Sequence, residues 1–431
     1  MKRIASLLLI LVMLFVFVAC DTAEPAEPEE PTAEEPEEPP AEEPETPEEE
    51  PEAEPADDKT TIKFAVQADS TDALNQIVAA FNEKSENYQV EAIIMTNDSG
   101  QMHDQLLNTL SSKSGEYDVI SMDVVWAGEF AAAGYLDPID ELIQDNGWLP
   151  TDFNKGSMDS GKYAGKNYVL PYFPDLGFLF VRTDIVSEED LATLQSGDYT
   201  YDDLLAMAEM YQGEANTEYG YVFQAKQYEG LVVNLNEFTA NWADIEGGLS
   251  TMKAYMDAGI LPDDILNYDE GATHTAFLNG EAVFGRNWPY MNGMIAAGDQ
   301  EVTSDQVDFA PLPAGGSVGG WILGINAAGQ NKEGAEEFLS FVAGPEGQKI
   351  NATVGSYLPG YNELLEDADV QASNALLTNP GFTKALEMTI ARPVVANYAE
   401  VSDQIQLLTH SFLSGNSELE EAVSGIEAVL E

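Results

Sequence analysis

From Thr61 onward, short runs of β-branched and aromatic residues alternate with amphipathic segments. Thr61–Val66, Tyr88–Met95 and Tyr117–Met122 have the composition of strands. Between them, Thr71–Lys84 and Gly100–Leu110 repeat apolar residues at helical spacing. Strands that alternate with helices of about 10–15 residues indicate βαβ units around a parallel sheet, in which ligands bind beyond the carboxyl ends of the strands. The chain is therefore predicted to be an α/β protein.

Length and charge limit the architecture and the partners. At 431 residues the chain is longer than one hydrophobic core usually supports, which predicts two domains. Lys+Arg 17 against Asp+Glu 77 give a net charge of −60, which repels nucleic acid and anionic membrane surfaces. Because salt screens the repulsion among these charges, the unfolding midpoint of the protein should rise with KCl.

The N-terminus has the pattern of an export signal. Two basic residues precede an apolar run from Ile4 to Ala19, which is short for a membrane span and fits a secretory signal. The run ends in Phe-Val-Ala-Cys and resembles the lipobox of bacterial lipoproteins. The resemblance implies a signal peptide over 1–20, lipidation of Cys20 and attachment to the extracytoplasmic face of the cell membrane. The alternative is an ordinary signal peptide with an incidental cysteine.

The segment that follows is almost wholly Glu, Pro and Ala. Asp21–Asp58 holds 19 acidic residues and no basic residue, so it cannot bury apolar area. A disordered, extended tether is predicted over 21–59, and a binding role for a basic partner stays open.

Lys166–Asp184 joins two apolar runs, Asn167–Leu170 and Gly177–Val181, which are predicted as buried strands. Pro-Tyr-Phe-Pro-Asp between them is predicted as a proline-stiffened turn that holds Asp175 in a cleft. The stretch is thus expected to be a crossing between two lobes.

Two later apolar runs, Asp308–Leu312 and Gly320–Ile325, are predicted as a second and a third crossing. The glycine-rich stretch between them lacks the Gly-Lys-Ser/Thr ending of a P-loop. A flexible turn is expected there, with the backbone of Gly319 and Gly320 close to a ligand.

Three carboxylates, Asp123, Asp175 and Glu229, lie at predicted strand ends among aromatic residues. Carboxylates accept hydrogen bonds from hydroxyls and rings stack on the apolar faces of sugars, so this combination predicts a carbohydrate site. The same carboxylates also permit a glycosidase acid/base pair. With one cysteine and three widely separated histidines, no metal or other cofactor is expected.

The body of the chain from about Thr61 resembles the extracellular solute-binding proteins of bacterial sugar ABC importers, in their maltose-binding-protein-like group. The stretches that carry the resemblance, nearest to trehalose- and maltose-binding proteins, are YDVISMDVVWAGEFAAAGYLDPID, YVLPYFPDLGFLFVRTD, GYVFQAKQYEGL, FLNGEAVFGRNWPYMNG, APLPAGGSVGGWILGIN and ARPVVANYAEVS.

This resemblance implies a two-lobed α/β fold of the periplasmic-binding-protein-like type II, with hinge crossover strands. Lobe one would comprise 60–174 plus 311–326, and lobe two 177–308 plus 329–431. It also implies a monomeric, non-catalytic receptor that captures a sugar such as trehalose or maltose for the membrane subunits of an ABC importer. A surface glycoside hydrolase, a structural lipoprotein with a degenerate cleft and a receptor for a non-sugar solute are the alternatives.

The resemblance also implies roles for individual residues. Asp123 and Asp175 would accept hydroxyl hydrogen bonds, while Arg392 would donate to sugar oxygens. Aromatic contacts would come from Trp288, Tyr290, Trp321 and Phe173, and a backbone contact from Gly320; Glu229, Asp72 and Asn97 are further candidates. The sequence departs from the family at Phe173, where Tyr is frequent, and at Gln101–Asp104, where an Arg is frequent.

Overall fold

The computed structural model of the protein describes residues 59–393 and 397–430. The predicted signal peptide, Cys20 and the acidic segment up to Asp58 lie outside the described residues. Within the described part of the chain, no helix is long and apolar enough to cross a membrane.

The strands are short and span the whole body. They are β1 Thr60–Gln67, β2 Tyr88–Met95, β3 Val119–Asp123, β4 Lys162–Tyr163, β5 Lys166–Asn167, β6 Leu170–Leu176, β7 Phe178–Arg182, β8 Tyr219–Val222, β9 Ala282–Asn287, β10 Val307–Ala310 and β11 Val318–Ile325.

The helices pack around these strands. They are α1 Ala73–Lys84, α2 Ser99–Ser111, α3 Ala127–Ala132, α4 Asp140–Asp145, α5 Lys155–Ser160, α6 Glu188–Ser196, α7 Tyr201–Tyr211, α8 Glu229–Phe238, α9 Ile245–Asp257, α10 Glu270–Leu278, α11 Tyr290–Ala297, α12 Lys332–Ala343, α13 Pro345–Val354, α14 Ala368–Ser373, α15 Pro380–Glu387, α16 Tyr398–Leu413 and α17 Leu419–Leu430.

Two sheets form the two lobes and confirm the predicted α/β class. The first sheet has the order β2-β1-β3-β11-β6, and the second β10-β7-β9-β8. Strand β1 is parallel to β2 and β3, as the alternating pattern predicts. Strand β11 is antiparallel to both of its neighbours, because the chain enters it from the second sheet.

The predicted turn at Pro-Tyr-Phe-Pro-Asp is wrong, because Leu170–Leu176 is one continuous strand, β6. Among the strands that the structure describes, β6 lies at the edge of the first sheet and pairs with β11 alone. An edge strand donates hydrogen bonds on one side only, so it tolerates prolines that a central strand would not.

The predicted crossing itself is present, at Gly177 between β6 and β7. A methyl group on Gly177 would come within 2.1 Å of the Arg286 guanidinium and 2.4 Å of the Glu237 carboxylate, so these two side chains leave no room for a side chain there. The two later runs are strands β10 and β11 rather than two separate crossings, and the chain passes between the sheets once in that stretch.

The segment between α15 and α16 is hydrogen-bonded to this second passage. The Val318 N–H donates to the Ile390 carbonyl (2.8 Å), and the Ile390 N–H donates to the Gly316 carbonyl (2.9 Å). This segment therefore lies alongside the chain where it passes from β10 to β11.

Helices α12 and α13 pack on the first sheet, although the sequence prediction places them in the second lobe. The Phe338 ring lies 5.1 Å from the rings of both Phe64 on β1 and Phe81 on α1. Chain order suggests that all residues after β11 belong to the second lobe. The apolar face of α12 nevertheless packs against the core of the first lobe.

Candidate functional site

A cavity of about 370 Å³ lies between the two sheets. It opens beyond the carboxyl ends of β1, β3 and β9, where side chains from both lobes converge. Ten residues predicted to contact a ligand line it: Asn97, Asp123, Phe173, Asp175, Glu229, Trp288, Tyr290, Gly320, Trp321 and Arg392.

Asp72 is the predicted residue that the structure does not bring to the cavity. It is exposed at the start of α1, where its carboxylate accepts hydrogen bonds from Asn75 and Gln76 (3.0 Å each). Those bonds lower the pKa of Asp72. The side chain is thus committed to its own helix.

Asp123, Trp321 and Phe173, which we call the floor, form a row across three strands of the first sheet. Trp321 on β11 pairs with Asp123 on β3 and with Phe173 on β6. Residues in directly opposed positions point to the same face of a sheet, so the backbone register alone brings the three side chains together. The Trp126 and Trp321 rings pack edge to face, with 5.6 Å between their centres, and this contact supports Trp321.

Gly320 gives this row its shape. Its φ of 122° lies in a region that L side chains rarely adopt, and the register shifts just after Trp321. A methyl group on Gly320 would lie 2.8 Å from the Phe173 carbonyl oxygen. Glycine here lets β11 run close against β6 while Trp321 faces the cavity.

Glu229, Trp288 and Tyr290, which we call the wall, come from the second lobe. The guanidinium of Arg286 lies 4.1 Å from the centre of the Trp288 ring. The indole N–H of Trp288 donates to Glu270 (3.3 Å). A methyl group on Gly319 would approach the Trp288 ring to 2.9 Å. The indole is therefore fixed on one face and at two edges.

Arg286 is itself held by a buried ion pair. Its Nε and Nη2 donate to the two carboxylate oxygens of Glu237 at 2.9 and 2.6 Å, and both residues are almost wholly inaccessible to water. Burial raises the pKa of Glu237, and the charge of Arg286 opposes that rise. The carboxylate also accepts the Ser317 N–H (2.9 Å), so the pair lies directly beneath the inter-lobe passages.

Arg392 links the floor to the wall. Its guanidinium donates to Asp123 (3.0 Å for Nη1) and to Glu229 (3.2 Å), while Nε donates to the Val318 carbonyl (3.2 Å). Glu229 also accepts hydrogen bonds from the hydroxyls of Tyr398 and Ser402 on α16. Most of the Arg392 donors thus serve protein acceptors, whereas the resemblance implied donation to a sugar.

Asp175 faces the cavity with fewer partners. It is 9% exposed, and the hydrogen bond that it accepts comes from the next backbone N–H, that of Leu176 (2.9 Å). Burial raises the pKa of Asp175 well above its ordinary range, and the charges of Arg286 and Arg392 only oppose that rise.

Tyr357 lines the cavity and was missed by the sequence prediction. Its ring stacks on Phe173 with a centroid distance of 4.1 Å, and its hydroxyl donates to Asp69 (2.8 Å). It thereby brings a phenol next to Phe173, where the family frequently has one. Tyr357 belongs to no periodic pattern; the preceding Gly-Ser turn signal was the available clue.

The cavity lining also includes three residues that the sequence did not predict, Lys226, Asp269 and Glu270. They were missed because they lie in a loop and at the start of α10. His103, in contrast, is buried away from it, stacked on Phe130 and bonded to Glu129 (3.0 Å). Within the described residues, no group of three or more His, Cys, Asp or Glu side chains is arranged to hold a metal ion.

The cavity thus combines hydrogen-bond acceptors with aromatic faces on two sides. Residues 67–349 match the model of the family described as bacterial extracellular solute-binding protein. The chain is 27% identical over 358 residues to a probable ABC transporter-binding protein of Deinococcus radiodurans, a match that covers 74% of this chain and 81% of that protein. It is 25% identical over 284 residues to a maltotriose-binding protein of Pyrococcus abyssi, covering 62% of this chain and 59% of that protein.

Solved structures share the fold. Maltose-bound MalE3 of T. maritima superposes with a TM-score of 0.77 at 25% identity, covering 86% of this chain and 98% of that one. A solute-binding protein of Thermotoga lettingae bound with α-D-tagatose superposes with a TM-score of 0.72 at 21% identity, covering 86% of this chain and 99% of that one.

Proposed function

Since the chain belongs to the bacterial extracellular solute-binding proteins, we propose that it captures a sugar in the cavity between its lobes and delivers it to the membrane subunits of an ABC importer. The main support for this proposal is that the floor and the wall face each other across one cavity. Trp321 and Trp288 offer ring faces from opposite lobes, and carboxylates beside them accept hydrogen bonds from hydroxyls.

Capture proceeds by closure of the lobes. A ligand that contacts both floor and wall binds the closed arrangement better than the open one, and this difference in affinity shifts the population toward closure. The two passages, at Gly177 and around Gly316, are where the backbone can bend.

We propose a di- or oligosaccharide such as trehalose or maltose as the ligand. The cavity volume lies within the range of about 300–1,000 Å³ that is usual for small-molecule sites. The names of the relatives, maltotriose-binding protein and maltose-bound MalE3, support this class.

A role in binding rather than hydrolysis is supported by the state of the carboxylates. Asp123 and Glu229 are both bonded to Arg392, so neither is free to act as the second member of an acid/base pair with Asp175. The protein is proposed to act as a monomer without a cofactor.

Lipid anchoring through Cys20 completes the proposal and is supported by the lipobox-like Phe-Val-Ala-Cys. Expression with radiolabelled palmitate should label the wild-type protein but not Cys20→Ala. Release of the wild type into the medium without label would contradict anchoring.

Tryptophan fluorescence tests binding directly, because Trp288 and Trp321 both line the cavity. Titration with trehalose, maltose, sucrose, glucose and longer maltodextrins should give a saturable change with at least one of them. No change with any sugar would count against the proposed function, and chromatographic detection of released monosaccharide would identify a hydrolase instead.

A further inference from the structure

The charges that line the cavity do not balance. Two lining residues are basic, Lys226 and Arg392, and six are acidic: Asp98, Asp123, Asp175, Glu229, Asp269 and Glu270. This excess is a property of the cavity itself, over and above the acidic surface of the protein. A ligand enclosed there enters a strongly negative field, which solvent screens less than at the surface.

Most of these carboxylates already have protein partners. Arg392 serves Asp123 and Glu229 together, and Lys226 pairs with Asp269 at 3.2 Å. Two more are satisfied by neutral donors. Asp98 accepts the Gln101 N–H at the start of α2 (3.1 Å), and Glu270 accepts the Tyr228 hydroxyl (2.6 Å) and the Trp288 N–H. Both basic residues of the lining are therefore paired with carboxylates other than Asp175.

Asp175 differs from all of them. It is buried, it faces the cavity, and among the described residues it has no ion-pair partner. Its Oδ1 accepts the Leu176 N–H, whereas its Oδ2 accepts no hydrogen bond from the described residues. Within residues 59–393 and 397–430, one oxygen of this cavity-lining carboxylate is thus left without a donor.

We infer that the preferred ligands are sugars that carry an amino group, with the ammonium placed against Asp175. The inference rests on the proposed function and specifies its substrate class. A neutral hydroxyl supplies a single dipole to this oxygen, whereas an ammonium supplies donors and also cancels the charge.

Closure strengthens this preference. When the lobes enclose a ligand, water leaves Asp175, and a buried carboxylate without a partner is costly. An ammonium removes most of that cost, while a hydroxyl removes less of it. Discrimination should therefore appear in the affinity for closely matched ligands.

Matched sugar pairs test the inference by calorimetry at pH 6. The pairs are glucose with glucosamine, maltose with 2-amino-2-deoxymaltose, and trehalose with its 2-amino and 6-amino analogues. In at least one pair the amino member should bind at least tenfold more tightly than the neutral member. The N-acetyl forms of the amino members carry no charge and should lose that advantage.

Asp175→Asn isolates the carboxylate. This variant keeps the shape and removes the charge, so the ratio of amino-sugar to neutral-sugar affinity should fall to near one. Glu209→Gln removes the same charge from an exposed position on α7, outside the cavity, and should leave the ratio unchanged. Thermal melts monitored by circular dichroism establish that both variants are folded, and Asp175→Ser serves if Asp175→Asn is not.

The outcomes separate this inference from the proposed function. If neutral sugars bind and no amino analogue binds more tightly, the amino-sugar inference is overturned while the sugar receptor stands. If the ratio persists in Asp175→Asn, the preference comes from the general negative field and the assignment to Asp175 is overturned. If no sugar of any kind binds, both proposals fail.

Discussion

The floor and the wall face the same cavity but are held in place by different means. In the floor, Asp123, Trp321 and Phe173 occupy paired positions on neighbouring strands, so backbone hydrogen bonds set their spacing. In the wall, Trp288 depends on a chain of buried side chains, from Glu237 through Arg286 to the indole ring. A register cannot shift for one residue alone, whereas a side-chain network fails when one member is removed. The wall should therefore be the more fragile half of the site.

Glu237→Gln should have the largest effect. It leaves the buried guanidinium of Arg286 without its counter-charge, which typically costs about 3–5 kcal/mol of stability. The free energy of unfolding, from urea denaturation, measures the loss. Glu387→Gln breaks the Lys384–Glu387 surface pair and should cost less than about 1 kcal/mol. Equal losses in the two variants would refute the fragility of the wall.

Trp288→Ala removes the indole from the wall and should lower sugar affinity by about 2 kcal/mol or more, the scale of an aromatic hot spot. Isothermal titration calorimetry with the best sugar from the fluorescence screen measures the change. Trp148→Ala is the matched control, since Trp148 packs on Phe153 and does not line the cavity. Unchanged affinity in Trp288→Ala would remove the indole from the binding site.

Gly320→Ala tests the floor. The added methyl meets the backbone of Phe173 and Pro174, at 2.8 and 3.0 Å, in a conformation that disfavours side chains. A stability loss of about 1–3 kcal/mol is expected, together with weaker sugar binding as Trp321 shifts. Gly165→Ala also has a positive φ but meets no atom within 4 Å, and should cost about 1 kcal/mol without affecting binding. If both variants bind sugar normally, the register of the floor does not depend on Gly320.

Asp175→Asn should have the smallest effect on stability, and of the opposite sign. Because burial raises the pKa of Asp175 in the folded protein, folding favours its protonated form, and the ionised form destabilises the fold at neutral pH. Replacing it should stabilise the ligand-free protein by about 1 kcal/mol at pH 7, as many substitutions at functional sites do.

The pH dependence of stability tests whether replacing Asp175 stabilises the ligand-free protein. The gain from Asp175→Asn should vanish as the pH falls below 3.8, the ordinary pKa, because the carboxyl is then protonated in both the folded and the unfolded state. Asp184→Asn is the converse control: the hydrogen bonds from Arg182 lower the pKa of Asp184, so its loss should destabilise at pH 7 and matter less in acid. Melting temperatures of both variants across the pH range measure the two pH dependences. If Asp175→Asn is less stable than the wild type at pH 7, the ionised Asp175 does not destabilise the fold and the prediction is wrong.

Local patterns predicted many of the elements. The predicted bounds of Tyr88–Met95 agree with β2, because the segment has a clear period and a clear end. The prediction of a turn within β6 was wrong. The prolines are tolerated there because β6 is an edge strand, and only the order of strands in the sheet reveals that position.

Part of the cavity lining was also predictable from local sequence patterns. Asp123 and Trp288 follow or end strands, and strand ends meet at the cavity. Tyr357 was not predictable, because its place beside Phe173 depends on how the loop after α13 returns to the first sheet.

The sequence by itself determined the α/β class and a passage between lobes within Lys166–Asp184, since the period of apolar residues is a local property. The tertiary structure decided which charges meet. Arg392 and Asp123 are 269 residues apart, and Arg286 and Glu237 are 49 apart. The contacts between them depend on the packing of distant segments, which no local pattern encodes. The same packing leaves Asp175 without an ion-pair partner among the described residues.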